Sequence, residues 1–379
     1  MADTHYTDTA DLSTQSPEAQ PAQYEIATPR RLMWLKFTKH RLAVGSAIFL
    51  ILMYLVALFS PMLSPYDPTR RNLDAIHAPP TRIRFRDDAG FSLRPFVHGY
   101  TQERDPVTLR RRLVVDPDVR YYLRLFVDGE QYRFLGIAGT LRLFGVDAGG
   151  RAYLFGTDGL GRCLFSRVLH GSRISLTIGL LGVSMSIVLG LIIGGISGYF
   201  GGWVDNAIQR FIEIIRSFPT IPLWMALSAA LPLHWSPIRV YFAITVILSL
   251  IGWTGLARVA RGKVLSLKNE DFVMAARLSR SSEARIIGRH LIPSFMSHII
   301  AVTTLAIPGM ILGETSLSFL GIGLRPPVFS WGVLLSQAQN VHTLAHAPWL
   351  MIPGFFVIAV VLAFNFFGDG LRDAADPYQ

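Results

Sequence analysis

An all-α polytopic membrane fold of about six transmembrane helices, interrupted by a small β-rich extracytoplasmic insertion, is the fold class that this 379-residue sequence predicts. Three observations predict it. Hydrophobic residues make up 51% of the chain against 16% charged, and the mean hydropathy is +0.37. The apolar residues gather into runs of about 20 with almost no charge, the length a helix needs to cross about 30 Å of hydrocarbon. One stretch, residues 64–155, departs from this pattern: it is rich in Arg and Asp and alternates with period two, as half-buried strands do.

Residues 1–29 hold Thr, Ser, Pro and Gln but no Lys or Arg, so no cleavable signal peptide is expected and the segment reads as a disordered tail. The basic cluster Arg30, Arg31, Lys36, Lys39, His40 and Arg41 follows, within a flank-and-span unit over 30–63. The span itself is LAVGSAIFLILMYLVALFSPML, residues 42–63. A basic flank before a first span places the N-terminus in the cytoplasm. Pro65 and Pro68 then stop the helix.

In the insertion, Ile83 and Phe85 alternate with Arg82, Arg84 and Arg86 before the turn sequence Asp87-Asp88-Ala89-Gly90. YLRLFV and EQYRFL flank Asp128-Gly129, the strongest short hairpin signal in the chain. LRLFGV and RAYLF flank Asp147-Ala148-Gly149-Gly150. The arginines do not oppose an extracytoplasmic location, because long loops translocate largely regardless of charge.

The remainder, 156–379, reads as a core of five further spans. The second covers 172–199 and carries Gly190, Gly194 and Gly198 at four-residue intervals, a ridge that lets helices approach closely. The third follows Asp205, is kinked by Pro219 and Pro222, and ends near Pro232. The fourth runs over 238–256, the fifth over 295–320 and the sixth over 349–367, returning the C-terminal tail to the cytoplasm. Between the fourth and fifth lies the basic segment 258–293, which the span count puts in the cytoplasm.

The net charge of +10 and pI near 10.0 do not imply nucleic acid. Lys and Arg collect beside the spans, where they set orientation and meet anionic membrane lipid. A single cysteine, Cys163, makes neither an internal disulfide nor a metal-ligand set. No phosphate-binding loop is present: around Gly262-Lys263, Ala257 fills the first glycine position and Val264 follows the lysine. No G-x-S-x-G or H-E-x-x-H frames a nucleophile or a metal. Catalytic residues and cofactors are therefore not expected. His342 and His346 have the i, i+4 spacing of a two-histidine metal site, but with no Cys or carboxylate nearby an interfacial pair is the preferred reading. Glu314 lies near the outer end of the fifth span, where an ionisable group costs about 2.5 kcal/mol or more. With Ser316 it is either a substrate-path residue or an interhelical hydrogen-bond partner aided by Thr315.

The segment 271–293 is the most informative: DFVMAAR, a serine-rich turn, then EARIIGRHLIP. A helix, a turn and a second helix between two spans present side chains to a partner outside the bilayer. Ala275 and Ala276 leave a shallow surface; Arg277, Arg285 and Arg289 can pair with a partner's carboxylates or carbonyls. Pro293 starts the next helix at a permitted position.

Here the sequence resembles the permease subunits of bacterial ATP-binding-cassette importers. The pattern of their cytoplasmic coupling loop is Glu-Ala-Ala, three residues, Gly, nine residues, Ile-x-Leu-Pro. Met274 stands in the Glu place, Ala275 and Ala276 match, Arg280 replaces the Gly, His290 and Ile292 stand in the Ile and Leu places, and Pro293 is kept. FGTDGLGR, SRVLHGSRISL, GYFGGWVD, LSFLGIGLRPPVFSWG and GLRDAADP resemble recurrent stretches of the second permease of oligopeptide, dipeptide and nickel importers, from about Phe155 to the C-terminus and in the first helix. Cys163 occupies a place usually held by Asp.

The resemblance implies a type I importer fold in a bacterial inner membrane, with peptides as the expected solute and nickel or oligosaccharide as alternatives. It implies a heterodimer with a second permease subunit, ABC ATPase subunits docked on the coupling loop, and a periplasmic solute-binding protein. Residues expected at the ATPase contact are Asp271, Met274, Ala275, Ala276, Arg277, Arg280, Ser282, Arg285, Arg289 and Pro293. An energy-independent channel and a membrane-embedded enzyme are the rival readings.

Overall fold

The computed structural model describes residues 29–87, 90–104, 111–134, 136–147 and 149–375. The tail expected over 1–29 lies outside them apart from Pro29. The basic cluster forms α1 (Pro29–Lys39) and the start of α2 (Arg41–Leu58), followed by the short α3 (Ser60–Leu63). His40 Nδ1 accepts from the Ala43 N–H at 3.0 Å, satisfying one of the free donors at the start of α2. Along α2, Ile48, Ile51, Leu52, Leu55 and Leu58 remain exposed, so this helix presents an apolar outer face.

The insertion is a four-stranded antiparallel sheet in the order β1-β2-β3-β4: β1 (Arg84–Asp87), β2 (Gly90–Arg104), β3 (Arg111–Phe134) and β4 (Ile137–Val146). Asp87 pairs with Gly90 across the first predicted turn, whose residues 88 and 89 lie outside the described set. The hairpin expected at Asp128-Gly129 does not form there. β3 runs through both residues, with a register shift between Asp128 and Tyr132, and the chain reverses between Phe134 and Ile137 instead. The physical reason is Arg142. A Cβ at Gly129 would stand 2.5 Å from Arg142 Cδ, so this glycine clears space for a buried arginine that donates to the Ser64 and Glu130 carbonyls. RAYLF, read as a strand, is instead an irregular return, in which the Tyr153 N–H donates to Thr81 Oγ1 at 2.9 Å and the Tyr153 carbonyl accepts from the Thr81 N–H at 2.8 Å.

Beyond the sheet come α4 (Leu164–Phe200), α5 (Gly202–Ser217), α6 (Thr220–Ala229), α7 (Pro237–Leu267) and α8 (Asp271–Leu278). The chain continues through α9 (Glu283–Arg285), a π-turn (Ile286–Leu291), α10 (Ile292–Ser294), α11 (Met296–Phe319), α12 (Trp331–Leu335), α13 (Val341–His346) and α14 (Ile352–Ala375). Among the described residues five helices are long and apolar enough to cross a membrane: α2, α4, α7, α11 and the segment Pro348–Ala375 that contains α14.

The predicted third span is not one kinked helix but two pieces. The break falls at Phe218-Pro219, where Pro219 cannot donate to the preceding turn, and Pro222 fits within the first turn of α6. At one end of the molecule Asp205 of α5 is paired with Arg261 near the end of α7. At the other, Ser228, Leu231 and Trp235 line a small cavity with Gly323, Leu324 and Pro327, beyond the far end of α11. The two pieces together thus traverse the same distance as their neighbours: their 16 and 10 helical residues at 1.5 Å each give about 39 Å.

Helices in lipid gain little from apolar burial alone and associate by close packing. The glycine ridge of α4 does this against α7. A Cβ on Gly190, Gly194 or Gly198 would stand 2.7 Å from Leu256 Cβ, 2.3 Å from the Ala257 carbonyl oxygen and 2.8 Å from the Arg261 carbonyl oxygen respectively. The main core joins α2, α4, α7, α11, α12 and α14 through residues such as Leu50, Leu176, Ile244, Ile311, Trp331 and Val360.

Candidate coupling site

Residues 258–293 do not form one loop. α7 continues to Leu267, well past the predicted end of the fourth span, and α8 turns back against it. Helical periodicity divides α8 into two faces. Val273 and Ala276 face inward and pack with Ala260, Val264, Ile286, Ile287, Leu291 and Phe295. Phe272, Met274 and Leu278 are 41%, 46% and 84% exposed, and Asp271, Ala275 and Arg277 accompany them on the outside. Ala275 therefore lies on the outer surface as predicted, whereas Ala276 belongs to the anchor beneath it. The i, i+3 spacing of Val273 and Ala276 was the signal that separates them.

The end of α8 forms a complete Schellman motif. The Ser281 N–H donates to the Ala276 carbonyl at 3.1 Å and the Arg280 N–H to the Arg277 carbonyl at 2.9 Å. Arg280 has φ +56°, so the residue in the Gly place of the motif adopts the conformation for which glycine is favoured. The turn survives the substitution with its backbone hydrogen bonds intact. Ser282 precedes α9 without a side-chain cap, and Arg285 and Arg289 are exposed. Pro293 lies in the separate turn α10; the membrane helix starts afterwards, at Met296. The Arg277 guanidinium stacks over the Tyr199 ring at 5.3 Å, tying α8 to the end of α4.

The same end of α4 is fixed by Asp205. Arg261 donates to both carboxylate oxygens, at 2.5 Å each, and Ser197 Oγ donates as well. The GYFGGWVD stretch is thus a three-helix junction of α4, α5 and α7.

At the opposite end, FGTDGLGR is a turn built on Asp158, which is fully buried. Its Oδ1 accepts from the Leu160 and Arg162 N–H groups at 2.9 Å each, and its Oδ2 from Arg162 Nε at 2.8 Å and from Arg167 Nη1. Burial by itself would raise this carboxyl, but Arg167 and Arg162 outweigh it and bring it below the ordinary range. Gly161, at φ +68°, is required because a Cβ would fall 1.8 Å from the Asn72 carbonyl oxygen. Cys163 is buried beside this turn, and burial pushes its thiol up, away from the reactive thiolate.

Glu314 is completely enclosed. Its carboxylate accepts from Ser318 Oγ at 2.7 Å and from Ser175 Oγ of α4 at 3.5 Å, while Ser175 Oγ accepts from the Trp331 N–H at 3.1 Å. The chain's own serines surround it, and they fold the LSFLGIGLRPPVFSWG stretch back onto α4. Ser316 is half-buried, and the Thr315 hydroxyl, expected to help Glu314, has no partner among the described residues. Ser175 and Ser318 were not singled out from sequence, since serine in a membrane helix carries no distinctive pattern. The His342 and His346 rings stack at 4.5 Å, and His346 Nδ1 donates to the His342 carbonyl at 2.8 Å. Among the described residues no group of three or more His, Cys, Asp or Glu gathers in a metal-holding arrangement.

Comparison with known proteins assigns the fold its relatives. Residues 186–378 match the family described as binding-protein-dependent transport system inner membrane component, and residues 28–80 match the N-terminal TM domain of oligopeptide transport permease C. The chain is 42% identical over 226 residues to the oligopeptide transport system permease protein OppC of Haemophilus influenzae, covering 59% of this chain and 70% of that protein. It is 38% identical over 223 residues to the dipeptide transport system permease protein DppC of Bacillus subtilis, covering 59% and 68%. It is 29% identical over 344 residues to OppC of Bacillus subtilis, covering 90% and 88%. Among solved structures, the inward-facing MetNI methionine ABC transporter aligns with a TM-score of 0.43 at 16% identity, over 56% of this chain and 98% of that one. With the matched region spanning half of the sequence and containing α5 to α14 and the α8 turn, this chain belongs to the inner-membrane permease components of binding-protein-dependent ABC transport systems.

Proposed function

We propose that this chain forms half of the translocation pathway of an ATP-driven peptide importer, pairs with a second permease subunit, and receives its energy from ATPase subunits docked on α8. The observation that carries the reading is the outer face of α8: Phe272, Met274, Ala275 and Leu278 stand exposed on a helix anchored from behind by Val273 and Ala276. An exposed apolar ridge flanked by Arg277, Arg280, Arg285 and Arg289 suits a cleft in a partner protein. Asp271 and Ser282 complete the contact at the two helix starts. Because α8 is packed onto the ends of α4, α7 and α11, a push on it moves membrane helices as rigid bodies, the motion that alternating access requires. The names of the relatives, oligopeptide and dipeptide permeases, support peptides as the solute class. In this reading both termini are cytoplasmic, a solute-binding protein delivers peptide at the outer surface, and the β insertion is its docking platform.

The test is ATP-dependent peptide uptake in proteoliposomes containing this chain, its partner permease, the ATPase subunits and the binding protein. Ala275→Glu is expected to abolish uptake and release the ATPase while the membrane subunits stay assembled. Peptide flux that continues without any ATPase would make the protein a channel and overturn the reading.

A further inference from the structure

The β3–β4 hairpin runs alongside the segment by which the chain leaves α2, and the contacts fix its direction. Farthest from the helix, the Asp67 N–H donates to Glu130 Oε2 at 3.0 Å, and Arg70 pairs with the same carboxylate. Closer to the helix, Arg142 donates to the Ser64 carbonyl. At the helix end, the Phe134 ring stacks on that of Phe59, centroids 5.4 Å apart and planes at 25°. From residue 130 to residue 134 the strand thus retraces the chain from 67 to 59, back towards the bilayer. Phe59 is the residue that caps α2, whose outer-turn neighbours Leu55 and Leu58 are themselves 45% and 43% exposed.

The tip that arrives there is apolar and uncovered. Ile137, paired in register with Phe134, is 73% exposed, and Ala138 beside it is exposed as well. Tyr132 spends its hydroxyl on the Leu141 carbonyl at 2.7 Å, and Arg133 is exposed beside it. Apolar tips with an adjoining aromatic ring and a long cationic side chain are suited to the headgroup region, where the apolar part enters the acyl boundary and the guanidinium meets phosphate.

We propose that the tip of the β3–β4 hairpin inserts into the outer-leaflet interface next to α2, so that the insertion is tethered to the lipid surface as well as to the helix bundle. The occupant is lipid because the exposed tip continues the exposed face of a membrane-crossing helix. This rests on α2 crossing the bilayer with its N-terminus on the cytoplasmic side, and not on the peptide or coupling readings, so it stands or falls separately from those two.

The experiment uses the full chain in phosphatidylethanolamine–phosphatidylglycerol vesicles, in a Cys163→Ser background that leaves no other thiol in the chain. Ala138→Cys at the tip and Asp118→Cys earlier on β3 are each labelled with an environment-sensitive nitrobenzoxadiazole dye. Lipid-borne nitroxide near the headgroup is expected to quench the label at 138 at least about twofold more than at 118, and iodide less. Equal iodide quenching at both positions with no nitroxide effect would place the tip in water and overturn the proposal. Protection at 138 from both quenchers, in the chain alone or with its partner subunits, would mean that protein covers the tip and would overturn it equally. Ile137→Cys repeats the measurement at the neighbouring residue if the label at 138 disturbs folding.

Discussion

Arg280 holds a left-handed conformation at φ +56° in the turn that ends α8. A Cβ there costs about 1–2 kcal/mol, and glycine gives back part of that through its freer unfolded chain, about 0.4–1 kcal/mol. Arg280→Gly is therefore expected to stabilise the turn by roughly 0.5–1 kcal/mol, read as slower amide exchange over residues 276–286. Faster exchange would mean that the arginine side chain, rather than the backbone, holds the turn. Asp158 is the opposite kind of residue, one whose side chain cannot be spared. Arg167 is fully buried against it, stacks on Phe329 at 5.4 Å, and has Nε and Nη2 without partners among the described residues. Asp158→Asn leaves that charge enclosed and uncompensated, a loss of about 3–5 kcal/mol, whereas Asp158→Asn combined with Arg167→Met is expected to recover much of it. Thermal unfolding of the purified chain compares the two. The folded Asp158 carboxyl lies below its unfolded value near 3.9, so the stability it supplies is fully present above that pH and is lost as pH falls through the folded value. Unfolding measured from pH 7 down to 5 is thus expected to show no change in this turn's contribution; the loss begins only in stronger acid.

At the scale of elements, the α4–α7 seam depends on glycine for space rather than for backbone freedom. Gly194→Ala and Gly262→Ala each gain about 1 kcal/mol of helix propensity. Nothing lies within 4 Å of a Cβ on Gly262, while one on Gly194 meets the Ala257 carbonyl oxygen at 2.3 Å. Gly262→Ala is expected to raise the melting temperature, and Gly194→Ala to lower it by a net loss of about 1–3 kcal/mol, because a backbone carbonyl cannot rotate away as a side chain can. Equal responses would show that the two helices are not in contact there. This seam was legible in the sequence because a period of four is visible without its partner; that the partner is α7 was not, since nothing local specifies it. The same limit explains the misplaced hairpin. Asp128-Gly129 carries a true turn signal, but its glycine serves Arg142, thirteen residues away in a different strand, and only the fold brings them together. Pro219 announced a disturbance in the third span, yet whether a proline bends a helix or divides it depends on what receives the freed backbone groups. The Glu314 serines escaped notice for a related reason: Ser175 lies 139 residues from its acceptor. The helix–turn–helix layout of residues 271–285 was legible because its chemistry is local, a helix, a turn and a second helix within a short stretch.

For the whole molecule, the question is whether the sheet is part of the transport core or an addition to it. Its ends are closed upon each other by the two Thr81–Tyr153 hydrogen bonds, below which the Asp158 turn and the Trp349 bond to the Thr157 carbonyl at 2.9 Å join it to the helices. All of those lower contacts survive removal of residues 83–151 and a short Gly-Ser connection between Arg82 and Ala152. The excised chain is expected to assemble with its partners and to melt close to the intact chain, because the core of α2, α4, α7, α11, α12 and α14 contains no residue of the sheet. The exposed outer surface lost with it includes Arg84, Arg86 and Arg94 with Phe85 and Phe91, which are 51% and 72% exposed, a combination of arginine and aromatic rings suited to recognising a protein. If the binding protein docks on that surface, uptake falls while ATP hydrolysis by the assembled membrane complex persists, and the defect narrows as binding-protein concentration is raised. Uptake equal to that of the intact chain at every binding-protein concentration would remove the docking role and leave the sheet's attachment to the membrane as its remaining function. A chain that no longer assembles would instead make Arg142 and its bond to the Ser64 carbonyl the link to examine, since that is the buried contact through which the excised segment reaches the exit of α2.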